Sequence, residues 1–108
     1  MNKAKYNRYD FIIAGAGCAG LSLALALRNS KLLFERVLIV DADAKNRNDR
    51  TWCFWDKSDS PPYASLIARS WKKLKVISDT NLQEIKLNNY SYHLIRGIDF
   101  YAHAQAEL

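Results

Sequence analysis

The fold of this chain is decided by residues 11–20, FIIAGAGCAG. The apolar residues Tyr9–Ala14 do not alternate strictly with polar ones, which predicts a short strand buried on both faces, as in the middle of a parallel sheet. The stretch Gly15–Gly20 then breaks the strand and matches the pattern G-x-G-x-x-G. Residues Cys18–Arg28 are rich in Ala and Leu and predict a helix, which the pair Asn29–Ser30 closes.

Each glycine of this pattern has a physical role in binding a dinucleotide. Gly15 allows the tight turn, Gly17 lets a pyrophosphate approach the backbone, and Gly20 lets the helix lie close to the strand. The backbone N–H groups at the helix start, those of Cys18 and Ala19, would face the diphosphate. The pattern alone is weak, but a buried strand before it and a helix after it make it specific.

A second buried strand is predicted at Arg36–Asp41, so that strand, helix and strand together form a βαβ unit of about 33 residues. Asp41 stands 21 residues after Gly20, at the position where an acid binds the ribose hydroxyls of the adenosine. A carboxylate there would repel a ribose 2′-phosphate, which favours FAD or NAD over NADP at this site. The alternative is a tight strand-to-helix turn with no ligand.

The remainder of the chain predicts short strands rather than another βα unit. Residues 43–59 show no period and are expected to be a loop, and residues 63–69 to be one or two helical turns. An antiparallel meander is predicted from three strands, at 71–78, 82–87 and 90–95. A final helix is expected to begin at Phe100, with Asp99 as its cap.

This order of elements favours FAD over NAD. A conventional NAD domain would continue with a further βα unit, whereas this chain continues with a long aromatic loop and a meander. We therefore expect an α/β, Rossmann-like FAD-binding unit with an antiparallel meander that is incomplete in this chain. Residues 1–108 would be the N-terminal part of an FAD/NAD(P)-binding domain, with the rest of that domain and the substrate domain absent.

Composition sets further bounds. The 108 residues suffice for one small domain, and the net charge of +5 is spread along the chain. The lysine run at 72–75 is typical of the solvated face of a strand, so we expect no nucleic-acid partner. Two cysteines, Cys18 and Cys53, suggest neither a zinc site nor a disulfide framework, which indicates a reducing, cytoplasmic compartment. The N-terminal residues show no signal peptide, and the longest apolar stretch, Leu21–Leu27, is too short to span a bilayer.

The most distinctive stretch is Asn48–Trp55, NDRTWCFW. Its aromatic side chains either cover apolar surface as core residues or border a pocket for a flavin ring or a large apolar substrate. In the second interpretation Arg50 neutralises nucleotide phosphate; otherwise it is a solvated arginine. The residues alone leave both interpretations open.

Four segments together resemble the flavoprotein type of lycopene β-cyclase. They are IIAGAGCAGLSLA at 12–24, VLIVD at 37–41, NDRTWCFW at 48–55 and YSYHLIRGIDFY at 90–101. In this order and spacing they are far more specific than the glycine pattern alone. The resemblance covers about the first quarter of such an enzyme.

The resemblance implies a glutathione-reductase-like fold that binds FAD, and closure of the linear ends of lycopene into the rings of β-carotene. That conversion is an isomerisation without net redox change, although it requires reduced FAD, with NADPH as the usual reductant. A carboxylic acid is expected to protonate the terminal double bond. The acidic catalytic motif of the family lies downstream and nothing here matches it, so no catalytic residue is assigned.

The resemblance also bears on Arg96, because related flavoproteins have an arginine before the following helix that touches the FAD phosphates. The alternative for Arg96 is a solvated loop residue. His93 and His103 have no acid at ligand spacing and are expected to be structural, and no metal site is expected. The location implied is cytoplasmic, peripheral on the inner face of the membrane, with the oligomeric state open.

Two other functions remain open from the sequence. One is another FAD-dependent enzyme on the same scaffold, such as a geranylgeranyl reductase, a halogenase or an aromatic hydroxylase. The octet NDRTWCFW argues against that group. The other is an inactive, truncated nucleotide-binding fragment, which would expose apolar surface and bind FAD weakly.

Overall fold

The computed structural model describes residues 7–31 and 36–108 and shows a mixed α/β chain with several small sheets. Its contacts divide into two compact units: Met1–Asn48 with Ile98–Leu108, and Asp49–Gly97. The expectation about a signal peptide rests partly on residues outside the described ones. The elements of the described chain are β1 Phe11–Ala14, α1 Cys18–Arg28, β2 Val37–Val40, β3 Thr51–Asp56, a 3-10 turn Ala64–Leu66, β4 Ile67–Trp71, β5 Lys73–Ile77, β6 Leu82–Lys86, β7 Ser91–Arg96 and α2 Gly97–Glu107.

The first unit contains the predicted strand, helix and strand. β1 and β2 are parallel, with Ile13 opposite Ile39, and α1 lies between them in the chain. The helix has the predicted bounds, and after it the Asn29 N–H donates to the Leu25 carbonyl oxygen over 3.1 Å. Ile13, Ala24 and Leu27 form an apolar core, against which Ile39 also packs. Burial of these apolar side chains, rather than helix propensity alone, stabilises the unit.

One prediction about β1 is wrong, because the strand is not buried on both faces. Ile12 is 65% exposed and Val40 is 51% exposed, whereas Ile13 is buried. Successive residues of a strand point to opposite faces. The α1 helix packs on the face that carries Ile13, and the face that carries Ile12 stays largely accessible in the described chain.

The second unit is built around a three-stranded antiparallel sheet in the order β3-β7-β4. The expectation that 43–59 is a loop without period is wrong for Thr51–Asp56, which forms β3. Exposed and half-buried residues alternate along this strand, but its side chains are bulky on both faces, which hid the alternation. The β-propensity of Thr, Trp and Phe was the signal available.

The predicted antiparallel meander is right for its first two strands and wrong for the third. β5 and β6 form a separate two-stranded hairpin, and β7 pairs with β3 and β4 rather than with β6. The predicted strand 71–78 is divided at Lys72 between β4 and β5, and the helical turns predicted at 63–69 shrink to the 3-10 turn before β4 begins. β7 therefore pairs with strands that are distant in the chain, whereas β5 pairs with the next strand, β6.

The last helix begins earlier than predicted. α2 starts at Gly97, so Asp99 lies inside its first turn and is not the cap. The side chain of Asn48 takes part at this end, because its Oδ1 accepts a hydrogen bond from the Ile98 N–H over 3.2 Å. The Asp99 carboxylate still stabilises the helix start through the macrodipole.

Candidate functional site

The glycine-rich loop is held by backbone contacts. Gly15 has φ of +105°, a conformation that favours glycine, and its N–H donates to the Val40 carbonyl oxygen over 2.7 Å. A Cβ atom on Gly20 would overlap the carbonyl group of Gly15. These two glycines therefore permit the turn and the close approach of the helix to the end of β1, where a Cβ on Gly20 would also come within 3.2 Å of the Ile13 side chain.

Gly17 differs from Gly20 because a Cβ there would have no atom within 4 Å. The open space beside Gly17 is what a phosphate group would need in order to reach the backbone, and a side chain would fill it. The residues present therefore fit the diphosphate of a dinucleotide.

The start of α1 carries the donors for such an anion. The first bond inside the helix joins the Leu21 N–H to the Gly17 carbonyl oxygen over 3.0 Å. The N–H groups of Cys18, Ala19 and Gly20 precede that bond and are the orphan donors of the helix start. No side chain caps this end and no acidic residue lies in the first turn, so no residue of the helix itself neutralises the positive end of the dipole.

Asp41 is bound to the loop directly. Its Oδ2 accepts a hydrogen bond from the Ala16 N–H over 2.7 Å, and its Oδ1 accepts one from the Asp43 N–H over 2.7 Å. These two hydrogen bonds, the one from Ala16 first, lower the pKa of the Asp41 carboxyl below its ordinary value, and Lys45 adds a smaller attraction. The structure therefore brings Asp41 to the glycine-rich loop, as an acid that stays ionised at neutral pH.

Sequence reasoning did not identify Lys45, which lies beside this acid. Its Nζ is 3.9 Å from Asp41 Oδ2, and both side chains are only 14% exposed. The Nζ atom is also 5.5 Å from the centre of the Tyr101 ring. The signal available was the spacing of four residues between Asp41 and Lys45.

The two candidate arginines lie in the second unit. Arg50 directly precedes β3 and Arg96 ends β7, where it stands opposite Thr51. The Gly97 N–H donates to the Arg50 carbonyl oxygen over 2.7 Å, and a Cβ on Gly97 would come within 2.6 Å of that oxygen. The structure thus brings Arg50 and Arg96 to the same end of one strand pair, and both are exposed. Their contact with phosphate stays a prediction.

The aromatic octet is divided between the two faces of its strand. Trp52 and Phe54 are half-buried, whereas Trp55 is 50% exposed. On the exposed face the Trp55 ring lies 4.4 Å from the ring of Tyr92, and the Trp71 ring lies 6.1 Å from Tyr92 on the other side. These three residues form one row across β3, β7 and β4, because they stand opposite one another in the register.

Two further interactions belong to this sheet. His93 is buried, its Nδ1 lies 2.7 Å from Ser70 Oγ, and its ring lies 5.3 Å from that of Phe54. A hydrogen bond with the Cys53 side chain raises the pKa of Tyr92, and burial raises it further. Beside the row, Trp55 and residues 86–90 line an open groove of about 530 Å³.

The family model described as lycopene cyclase protein matches residues 10–108. The chain belongs to the lycopene cyclase family. No curated protein and no solved structure is significantly similar to it. The match of this lycopene cyclase family member begins one residue before β1 and includes the glycine-rich loop, Asp41, the aromatic octet and Arg96.

The described part of this family member has neither a cluster of metal ligands nor a membrane-spanning helix. No group of three or more His, Cys, Asp or Glu side chains is arranged to hold a metal ion among residues 7–31 and 36–108. Across the same residues, no helix has both the length and the apolar character needed to cross a membrane. Cys18 and Cys53 are not joined by a disulfide.

Proposed function

We propose that this chain binds FAD and is the cofactor-binding part of an enzyme that cyclises the ends of lycopene to give β-carotene. The observation that carries the proposal is the family match over 10–108. The open space beside Gly17 and the ionised Asp41, which is hydrogen-bonded to the glycine-rich loop, support the cofactor. The parallel β1–α1–β2 unit supports a Rossmann-like, glutathione-reductase-like domain.

Different residues of the chain bind the diphosphate and the adenosine ribose of the cofactor. The N–H groups of Cys18, Ala19 and Gly20 at the start of α1 would hold the diphosphate. The ribose hydroxyls of the adenosine donate to the carboxylate of Asp41. A role of Arg50 and Arg96 in phosphate binding stays a prediction from the sequence.

The chemistry follows from what each partner supplies. When bound, FAD reduced by NADPH would supply negative charge, which would stabilise the cationic transition state of ring closure. The residues of this chain bind and orient the cofactor and stabilise its phosphate charge. The carboxylic acid that protonates the terminal double bond is assigned to no residue of this chain.

The substrate also bears on where the protein acts. Lycopene dissolves in the hydrocarbon part of a membrane, so we infer that the enzyme lies at the cytoplasmic surface of a membrane. The positive net charge of +5 is favourable for contact with anionic lipid head groups.

Pigment analysis tests this function. Lycopene in liposomes is incubated with FAD and NADPH, once with this chain and once with the complete reading frame that contains it, and the pigments are separated by HPLC. We expect β-carotene or its one-ring intermediate from the longer form, and none when FAD is omitted. Unchanged lycopene from a longer form that does bind FAD would rule out the cyclase and favour a reductase or halogenase.

A further inference from the structure

A negatively charged side chain, that of Asp41, lies against the loop that would bind the diphosphate. Asp41 Oδ2 lies 2.7 Å from the Ala16 nitrogen, within the glycine-rich loop. An anionic carboxylate close to a bound dianion is unfavourable unless a positive charge offsets it. Lys45 Nζ, 3.9 Å from that same Oδ2, is the cation that the structure places there.

We propose that Lys45 is a positioning residue of the nucleotide site, which neutralises the Asp41 carboxylate and holds it against the glycine-rich loop. The inference rests on the proposed FAD site and deepens it. Lys45 acts through Asp41, and it is this pair, rather than the acid alone, that lets one loop bind both the ribose hydroxyls and the diphosphate.

The backbone directs Lys45 toward this position. Lys45 has φ of 54°, in the left-handed region that non-glycine residues rarely adopt. Its N–H donates to Asp43 Oδ1 over 2.7 Å, which stabilises this turn. The turn brings the lysine side chain back over Asp41, and the ring of Tyr101 on α2 lies on its other side.

The neighbouring arginine provides a natural contrast. Arg47 Nη2 lies 3.6 Å from Asp43 Oδ2, and its side chain is 75% exposed. An exposed ion pair of this kind contributes little, because water screens it. Asp43, whose Oδ1 accepts from the Lys45 N–H, and Tyr101 on α2 are titratable groups beside the Asp41–Lys45 pair, whereas Arg47 is bound to Asp43 at the surface.

The test compares K45M and K45R with R47M, which removes the same charge from the same loop. The pKa of the Asp41 carboxyl is measured by NMR in the full chain without added ligand, and FAD affinity is measured by flavin fluorescence as a function of pH. We expect K45M to raise the pKa of Asp41, to weaken FAD binding about two- to fivefold, and to move the loss of binding in acid to higher pH. K45R should restore both properties, and R47M should change neither.

The two readouts separate this inference from the proposed function. If the wild-type chain does not bind FAD, the proposed site is wrong, and the NMR titration still shows whether Lys45 acts on Asp41. If K45M leaves the pKa of Asp41 and the pH profile unchanged, Lys45 is not a positioning residue, even where FAD binds normally. Equal effects of K45M and R47M would overturn it as well, since they would show a general effect of net charge.

Discussion

The glycine-rich loop of the first unit and the aromatic row of the second contain the two distinctive motifs of the chain, and they are held in different ways. In the loop the important atoms belong to the backbone: the Gly15 carbonyl, the open side of Gly17 and the N–H of Ala16. In the row the contacts are between side chains, with Tyr92 between Trp55 and Trp71.

In the glycine-rich loop any added side chain is expected to disturb packing or ligand binding. In the aromatic row a particular side chain is expected to add stability. A backbone site depends on the absence of atoms, so one added methyl group can destroy it. A row of rings on an exposed face tolerates the loss of one member, because water replaces the missing contact at modest cost. Substitutions in the two regions should therefore differ both in size and in the property affected.

The largest expected effect comes from G20A compared with G17A. In G20A the new methyl group meets the Gly15 carbonyl, so the unfolding free energy should fall by about 1–3 kcal/mol. In G17A it meets nothing, so stability should change by less than about 0.5 kcal/mol while FAD affinity falls more than about tenfold. Urea denaturation and flavin fluorescence measure the two properties separately.

Equal destabilisation by both substitutions would contradict this division of roles, because it would mean that Gly17 also serves packing. Unchanged FAD affinity in a well-folded G17A protein would show that the phosphate does not bind in the open space beside Gly17.

A smaller effect is expected from D41N. Loss of the carboxylate removes the acceptor for the ribose hydroxyls, so FAD affinity should fall about tenfold, as measured by flavin fluorescence. The discrimination against a 2′-phosphate should weaken at the same time, which competition between ADP-ribose and its 2′-phosphate would show. An unchanged preference between these two competitors would mean that Asp41 does not contact the ribose.

The same variant gives a prediction about pH. The pKa of Asp41 is lowered in the folded chain from its ordinary value of 3.8, so its stabilising contribution is complete above that value. The contribution declines as the pH falls below 3.8 and is lost below the folded-state pKa. The difference in unfolding free energy between wild type and D41N should therefore shrink toward low pH in urea titrations. A difference that stays constant with pH would show that Asp41 acts by its shape alone.

The smallest effect is expected from W55A in the aromatic row. An aromatic pair contributes about 0.5–1.5 kcal/mol, so stability should fall by about 1 kcal/mol. FAD affinity should not change, because Trp55 contacts Tyr92 and is not one of the residues proposed to bind the cofactor. Differential scanning calorimetry with flavin fluorescence measures both, and T51A on the same strand is the matched control. A marked loss of FAD affinity in W55A would contradict the prediction that the aromatic row contributes to stability and not to cofactor binding.

The sequence predicted the two regions unequally. The strand, helix and parallel strand of the first unit follow from local patterns: an apolar run, glycines at fixed spacing and an Ala/Leu helix with a polar end. In the second unit the pattern of lysines and apolar residues predicted strands near β5, β6 and β7, but it missed β3 and most of β4 and did not predict the partners of β7. Pairing of β7 with β3, about forty residues away, depends on contacts that no local window contains.

The candidate site likewise has features that local sequence patterns predict and features that depend on distant contacts. The sequence by itself determined the glycine-rich turn, the acid at the end of the second strand and the family, because these depend on residue type and spacing. Only the tertiary structure showed that Lys45 lies beside Asp41, that one face of β1 is exposed, and that the aromatic side chains of 48–55 lie on both faces of β3. These features depend on a left-handed backbone turn and on which strand finds which partner, and both are decided by the free energy of the folded chain as a whole.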